Sequence, residues 1–263
     1  IDPDFNAVQP LCNGGSGTIE LLATGGKGPY TFSFNGSGVF STQTVYTVPA
    51  GTYPFIVKDD LGCEVTGSAI LGQPSIVQVV APTISPLTCG PGNIGLAATV
   101  DLSAVASGGT GTFLYSFNGS AFDTKTIYTV NDNNADQLNI PFAVQDENGC
   151  EASGTIDIFK LNPPTDFDFV PGPVITCSTL LTSVQITNVV NAVGPVTTGL
   201  TYQIISPASA VLNVTGATSG IFTGLAPGDY VFQVTDGTNC VKQLPYEIKD
   251  VIKIDIIEQS TTG

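Results

Sequence analysis

Residues 53–63 read Tyr-Pro-Phe-Ile-Val-Lys-Asp-Asp-Leu-Gly-Cys, and their pattern indicates the fold class of the chain. Its first half has the alternating apolar residues of a β-strand with one buried face, and Asp-Asp-Leu-Gly then supplies a turn. Similar stretches end at Cys150 and Cys240. A strand, turn and cysteine that recur in this order predict a tandem array of small all-β domains.

The repeat divides the chain into copies at residues 1–74, 75–163 and 164–250, and 251–263 has the pattern of a following repeat's first strand. Short strands separated by Gly, Pro and Asn turns, in units of this size, predict immunoglobulin-like β-sandwiches arranged end to end. We expect about seven strands in each copy. In the first copy they are predicted at 6–10, 18–24, 30–35, 38–41, 43–48, 53–58 and 64–71.

The six cysteines fall in chain order into one pair per copy. The pairs are Cys12 with Cys63, Cys89 with Cys150, and Cys177 with Cys240. We expect a disulfide within each copy, joining the loop before the second strand to the last hairpin, as in secreted domains. Six free thiols in a reducing compartment are the alternative. A thiolate metal site is not expected, because the chain has no Cys-x-x-Cys and no His.

The composition excludes several functional classes. The chain of 263 residues has 22 acidic and 7 basic residues, no His, Met or Trp, and a formal net charge of −15. Without His there is no Ser-His-Asp or Cys-His couple, and this charge would repel nucleic acid. No apolar run approaches the roughly 20 residues of a membrane-spanning helix.

A hydrolase that uses two carboxylates is the remaining enzyme hypothesis. Acidic residues that recur once per copy are typical of a structural role, however, so no enzyme is predicted.

Acidic residues recur in the turn before the second cysteine of each copy. They are Asp59, Asp60, Asp146, Glu147 and Asp236. A cation with oxygen ligands, such as Ca²⁺, could bind there, although the turn offers few of the 6–8 oxygens that Ca²⁺ takes. The alternative is that the aspartate caps its own turn by accepting backbone N–H bonds.

Tyrosines in the strand patterns raise the question of a sugar-binding surface. They are Tyr30, Tyr46, Tyr115, Tyr128 and Tyr202. Aromatic faces can stack on glycans, but aromatics at alternate strand positions are more often core residues or cross-strand partners.

The motifs of the first copy resemble the SprB repeat. They lie at Cys12–Ile19, Gly25–Phe34, Pro49–Tyr53, Val57–Cys63 and Gln73-Pro74. The second copy replaces the Pro-Ala-Gly-x-Tyr motif with a longer segment, and the third lacks the Gly-Gly and Gly-Pro-Tyr elements. The resemblance implies a very large bacterial adhesin on the cell surface, exported by the type IX secretion system and used in gliding motility. The family has no catalytic residues.

The expected function is therefore that of a segment of a long extracellular filament. The expected partners are a surface polysaccharide or other substratum, neighbouring repeats of the same chain, and the cell-surface motility machinery, with no cofactor unless calcium binds. Two alternatives stay open at this point. The copies could be accessory binding or spacer modules of a secreted enzyme, or a self-assembling sheath or surface-layer subunit.

Overall fold

The computed structural model describes residues 1–250, and almost all of its regular structure is antiparallel β-strand. The predicted strand within 251–263 lies outside the described residues. The strands from the first half are β1 (Asp2–Val8), β2 (Ser16–Thr24), β3 (Thr31–Phe34), β4 (Val45–Pro49), β5 (Gly51–Lys58), β6 (Glu64–Leu71), β7 (Gln78–Val79), β8 (Thr83–Ser85), β9 (Thr88–Cys89), β10 (Gly95–Leu96), β11 (Ala98–Asp101) and β12 (Ala106–Ser107). Those from the second half are β13 (Leu114–Phe117), β14 (Ile127–Val130), β15 (Gln137–Gln145), β16 (Glu151–Ile158), β17 (Pro164–Pro171), β18 (Thr182–Asn191), β19 (Thr201–Ser206), β20 (Ile221–Leu225), β21 (Gly228–Thr235) and β22 (Val241–Ile248). Short 3₁₀ turns lie at Pro91–Asn93 and Val211–Asn213.

The chain divides into two compact units. The first consists of Ile1–Ile84, Val100–Tyr128 and Leu138–Asp157. The second consists of Ser85–Thr99, Thr129–Gln137 and Ile158–Gly263, of which residues up to 250 are described. The division into copies at 74, 163 and 250 stays a prediction, because this partition follows different boundaries.

In the first unit, the strands of the first copy form two three-stranded antiparallel sheets, ordered β1-β2-β4 and β3-β5-β6. This is the order of an immunoglobulin sandwich that lacks its D strand. The strand predicted at 38–41 is wrong, since only an isolated bridge joins Ser41 to Phe32. Gly36 and Gly38 have φ of 70° and 67°, a left-handed conformation that interrupts the extended chain there.

Both sheets of the first copy contribute to one core. Alternate residues of β2, Ile19 and Leu21, are buried with Phe55 and Val57 of β5 and with Leu71 of β6. Fully burying an aliphatic or aromatic side chain of this size contributes about 1.5–3 kcal/mol. The period of two along each strand therefore explains which face of each sheet is inside.

In the second unit, the strands of the third copy repeat this order as β17-β18-β20 and β19-β21-β22. Their core includes Phe222 of β20 and Phe232 of β21, whose ring centroids are 5.2 Å apart in an edge-to-face arrangement.

The strands of the second copy form the sheets β8-β11-β14 and β13-β15-β16, in the same order. The chain is thus an all-β protein of tandem immunoglobulin-like sandwiches.

A tyrosine corner lies near the start of β5 in the first copy and near the start of β21 in the third. The Tyr53 hydroxyl donates to the carbonyl oxygen of Pro49 at 2.7 Å, and the Tyr230 hydroxyl donates to that of Ala226 at 2.9 Å. The second copy has Ile140 at the equivalent position. A tyrosine that bonds back to the preceding corner is a feature of immunoglobulin-like domains, so this contact supports the assignment of the fold independently of strand order.

Candidate functional site: the aspartate-capped cysteine turns

The same turn joins the last two strands of all three copies, after β5, β15 and β21. In each, an aspartate Oδ1 accepts the backbone N–H of the cysteine four residues later. The distances are 2.9 Å for Cys63 to Asp59, 2.8 Å for Cys150 to Asp146 and 2.9 Å for Cys240 to Asp236. The N–H of each aspartate donates in return to the carbonyl oxygen of that cysteine, at 3.1, 2.9 and 2.9 Å. The aspartate therefore places the cysteine at a set position on the turn.

The second carboxylate oxygen attaches the turn to a glycine loop in the first two copies. Asp59 Oδ2 accepts the N–H of Lys27 at 3.2 Å, and Asp146 Oδ2 accepts that of Thr110 at 2.9 Å. The residue just before each donor, Gly26 or Gly109, has φ of +63° or +62°. A Cβ there would lie 2.9 or 2.8 Å from the same oxygen. Only glycine allows this approach, which accounts for the repeated Gly-Gly motif.

The capping carboxylates are shielded, although they lie on a turn. Asp59 is 6% exposed and Asp146 is 2% exposed. Desolvation by itself raises the pKa of Asp59, but the N–H groups of Cys63, Lys27 and Leu61 together hold that pKa below its usual range. The charged form is therefore the one that this turn stabilises.

These hydrogen bonds match the alternative to calcium binding, in which the aspartate caps its own turn. The neighbouring acid Asp60 pairs instead with Lys27, whose Nζ lies 3.0 Å from Asp60 Oδ2. Asp236 Oδ1 accepts the N–H and the hydroxyl of Thr238 as well as the cysteine N–H. In the described part of the chain, no three His, Cys, Asp or Glu side chains come together as a metal site. Calcium binding stays an untested alternative, and its test is given in the Discussion.

The disulfides join different copies of the repeat, so the predicted pairing within each copy is wrong. Cys12 of the first copy bonds Cys150 of the second, with Cα atoms 5.6 Å apart. Cys89 of the second copy bonds Cys240 of the third, with Cα atoms 4.8 Å apart. Within the described residues, the prediction that every cysteine is bonded is also wrong, because Cys63 and Cys177 are free and exposed.

Strand direction explains why Cys12 cannot reach Cys63. Cys12 lies just before β2, whose first residue Ser16 pairs with Pro49 at the end of β4. From there β5 runs eight residues away, Gly51–Lys58, before the turn that carries Cys63. At about 3.3 Å per residue the two cysteines are about 25 Å apart, whereas a disulfide needs Cα atoms within about 7 Å. Counting strand reversals along the sequence would have placed these two loops at opposite ends of the sandwich.

Hydrogen bonds surround each disulfide. At the first, the Asn148 side chain donates to the carbonyl oxygen of Leu11 at 3.3 Å. At the second, the N–H of Cys89 donates to the carbonyl oxygen of Thr238 at 2.8 Å. Asn148 and Thr238 occupy the same position, two residues after the capping aspartate. The turn thus contacts the preceding copy at this residue as well as at the cysteine.

The second disulfide has an additional pair of contacts. Asn93 accepts the N–H of Val241 and donates to the carbonyl oxygen of Val241, both at 2.7 Å. The asparagine side-chain amide therefore makes the same pair of hydrogen bonds with Val241 that a backbone residue of a neighbouring β-strand would make. The loop that carries Cys89 is therefore held to the first residue of β22 by side-chain and covalent bonds together.

The tyrosines proposed as a sugar-binding surface have partners within the protein. Tyr46 stacks on Phe34 with ring centroids 4.0 Å apart, and Tyr128 stacks on Phe117 at 5.0 Å. Tyr115 is buried, the hydroxyl of Tyr30 donates to the carbonyl oxygen of Gly25, and Tyr202 packs against the core of the third copy. These contacts favour the alternative in which the rings are core and cross-strand residues.

No protein-family model and no curated protein sequence matches the chain. Among solved structures, the N-terminal eight Ig domains of Down Syndrome Cell Adhesion Molecule isoform 1.30.30 align at 14% identity and a TM-score of 0.33, covering 94% of this chain and 36% of that one. This chain therefore spans about a third of that structure's length. Cadherin domains 3–6 of Protocadherin Gamma B2 align at 13% identity and a TM-score of 0.27, covering 93% and 71%. Domains FN1–FN3 of chicken CNTN1 align at 12% identity and a TM-score of 0.27, covering 94% and 98%. At scores this low, the assignment of the fold rests on the strand order of this chain itself.

Proposed function

We propose that the chain is a non-catalytic, structural segment of a long repetitive adhesin or filament on the outside of a bacterial cell. The observation that carries this proposal is the bonding of successive copies by disulfides, Cys12 to Cys150 and Cys89 to Cys240. A long filament that works under tension needs connections between its domains that do not separate when force is applied to its ends.

Each disulfide encloses the predicted joint between two copies. The joint near residue 74 lies within the loop closed by Cys12 and Cys150, and the joint near residue 163 lies within the loop closed by Cys89 and Cys240. The two loops overlap, because Cys89 precedes Cys150 in the chain. Force along the chain is therefore shared between each peptide joint and a covalent bridge beside it.

Side-chain bonds also support the first joint. The Asn13 side chain donates to the carbonyl oxygen of Pro74 at 2.9 Å, and the N–H of Gly14 donates to Oε1 of Gln73 at 2.8 Å. Prolines here limit backbone rotation and leave no unpaired N–H. The Gln-Pro joint is thus attached to the same loop that carries Cys12.

An extracellular location follows from the disulfides, since such bonds persist in oxidising compartments. The motif resemblance to SprB repeats supports a role in gliding motility or surface attachment, with a polysaccharide or other substratum as the partner. The net charge of −15 suits a soluble surface polymer, because like-charged segments repel one another. In the described residues, no helix is long and apolar enough to cross a membrane.

The structural role is tested by cutting the chain at a joint that a disulfide is proposed to bridge. We would insert a protease site between Pro74 and Ser75, in a segment without regular secondary structure, and cleave the unreduced protein. The two fragments are expected to migrate together on a denaturing gel and to separate only after reduction. Fragments that separate without reductant would contradict bridging of the joint. The matched control is the same insertion with Cys12→Ser and Cys150→Ser, which should separate in both conditions.

The location and adhesive role need the source cells. Antibodies against this chain should label intact cells, detect a polypeptide much larger than 27.1 kDa, and as Fab fragments reduce gliding or attachment. A native mass near 27.1 kDa would contradict the long array. A catalytic domain in the native polypeptide would favour accessory modules of an enzyme, and regular lateral contacts in micrographs would favour a sheath.

A further inference from the structure

We infer that Cys63 and Cys177 are the open halves of two further disulfides of the same kind, each made with a flanking repeat. Cys63 would bond the first cysteine of a repeat that precedes copy one, and Cys177 the second cysteine of a repeat that follows copy three. The inference rests on the tandem-array part of the proposed function and not on adhesion.

The pairing rule comes from the two bonds in the structure. In both, the first cysteine of one copy bonds the second cysteine of the next, Cys12 to Cys150 and Cys89 to Cys240. Applied to the remaining two, the same rule leaves Cys63 without a first cysteine before it and Cys177 without a second cysteine after it. They are also the two cysteines that are free and exposed.

The turn at Cys63 already has the geometry of a bonded one. Its N–H lies 2.9 Å from Asp59 Oδ1, as the N–H of Cys240 does from Asp236, and the reciprocal bond from the N–H of Asp59 is present. The cysteine position is therefore set before any partner arrives. Preorganisation of this kind removes the entropy cost of ordering the turn when the bond forms.

A second feature of this turn points to a docked partner. At the two bonded turns, the residue two places after the aspartate contacts the preceding copy, as Asn148 and Thr238 do. At the free turn that position is Leu61, which is 69% exposed. Exposing a large apolar side chain such as Leu61 to water is unfavourable. Its exposure fits a contact position that a neighbouring repeat covers.

The loop that carries Cys177 presents matching apolar surface. Thr176 and Thr179 hold it as a tight turn through reciprocal N–H to carbonyl bonds of 3.0 and 3.1 Å. Val174, Leu180 and Leu181 beside it are exposed, Val174 by 84%. In the described residues, both ends of the pattern thus combine an exposed cysteine with exposed aliphatic side chains.

The bond forms by oxidation of two thiols. Each thiol gives up a proton and an electron to a disulfide oxidant such as oxidised glutathione, which is reduced to two molecules of glutathione. The products are one new S–S bond and two glutathione thiols. The partner is a repeat of the same type, so a second copy of this chain supplies both halves.

The direct test joins two copies of the chain, residues 1–250 followed by residues 1–263, with Cys63→Ser in the first half and Cys177→Ser in the second so that each remaining cysteine peptide is unique. The fusion is refolded with reduced and oxidised glutathione. Peptide mapping without reduction should find Cys177 of the first half bonded to Cys63 of the second. Free thiols at both positions, or a bond from either to another cysteine, would overturn the inference. The matched control adds Cys177→Ser in the first half, and Cys63 of the second half should then react with a maleimide, which it should not do in the parent fusion.

A second measurement does not depend on folding of the fusion. The single chain with Cys63→Ser keeps Cys177, and the chain with Cys177→Ser keeps Cys63. Oxidised together, they should form about ten times more mixed dimer, relative to either homodimer, than random pairing gives, which corresponds to about 1.4 kcal/mol of specific docking. Homodimers at statistical yield, or no dimers, would overturn the inference. Neither result bears on whether the array adheres to a surface.

Discussion

The carboxylate of Asp146 receives the N–H of Cys150 at 2.8 Å while the sulfur of that cysteine is bonded to Cys12. One acidic residue thus connects the local conformation of a hairpin turn to a covalent bond between two copies of the repeat. The same arrangement at Asp236 and Cys240 shows that it belongs to the repeat and not to one place in the chain. The acidic turns therefore act through the cysteines that they position.

Removing one cross-copy disulfide should destabilise the protein. With Cys12→Ser and Cys150→Ser together, the loop closed over a sequence separation of 138 opens, and the chain-entropy model gives a loss of about 5 kcal/mol as an upper value. Denaturant unfolding followed by circular dichroism measures it. Cys63→Ser, at an exposed free cysteine, is the control and should leave the midpoint unchanged. An equal effect of both changes would contradict the assigned pairing.

Removing the cap should affect both stability and bonding. Asp146→Ala leaves three backbone N–H groups, those of Thr110, Asn148 and Cys150, without their acceptor. We expect a loss of about 1–3 kcal/mol in the free energy of unfolding and slower formation of the Cys12–Cys150 bond during refolding. Glu147→Gln removes a charge from the same turn without changing these acceptors, and it should refold at the normal rate. The free-thiol content during refolding measures the difference.

Stability should fall in acid through the aspartates whose charged form is hydrogen-bonded. The pKa of Asp59 is lowered by backbone N–H donors against opposing desolvation, and that of Asp101 is lowered by bonds from Ser103. A lowered pKa in the folded state adds stability above the unfolded value of 3.8, and this stability is lost as the pH falls through the folded pKa. The melting temperature should therefore stay constant from about pH 5 to 8, because histidine titrates in this range and the chain has none. It should fall below about pH 4. In Asp59→Asn the acid-side fall should be smaller, and an unchanged profile would contradict this role of the carboxylate.

A close contact across two strands makes Gly154 sensitive to substitution. A Cβ at this residue of β16 would lie 2.7 Å from Cζ of Phe142 on β15. We expect Gly154→Ala to cost about 1–3 kcal/mol, because the buried ring must shift within a packed core. Gly237→Ala is a control, since its nearest neighbours would be at 3.9 Å. In a Phe142→Ala background the cost at Gly154 should shrink, and a double-mutant cycle by chemical denaturation measures this coupling.

Calcium should have no effect on stability. The carboxylate of Asp146 already accepts three backbone N–H bonds, and Asp60 pairs with Lys27, so few oxygens are left for a cation that takes 6–8. The melting temperature is expected to be the same in millimolar CaCl₂ and in EDTA. A rise with CaCl₂ that is lost in Asp59→Asn would show that the turns bind the ion after all.

Features that depend on neighbouring residues along the chain could be predicted from the sequence. Alternating apolar residues around Phe55 and Val57 predict a strand with one buried face, and an aspartate four residues before a cysteine predicts the turn that follows. Three such units predict the immunoglobulin-like fold, which the strand order confirms. The aspartate cap was also among the sequence alternatives, because an aspartate bonds locally to its own turn.

Which cysteines meet depends on how the copies pack, and this could not be predicted from the local sequence. Adjacent order in the sequence paired Cys12 with Cys63, but eight residues of β5 separate the two ends of the sandwich on which they lie. The bonded partner Cys150 is brought within 5.6 Å by the packing of another copy, and no local pattern specifies that distance. Local chemistry determines what each turn is, and the packing of the repeats determines what its cysteine bonds.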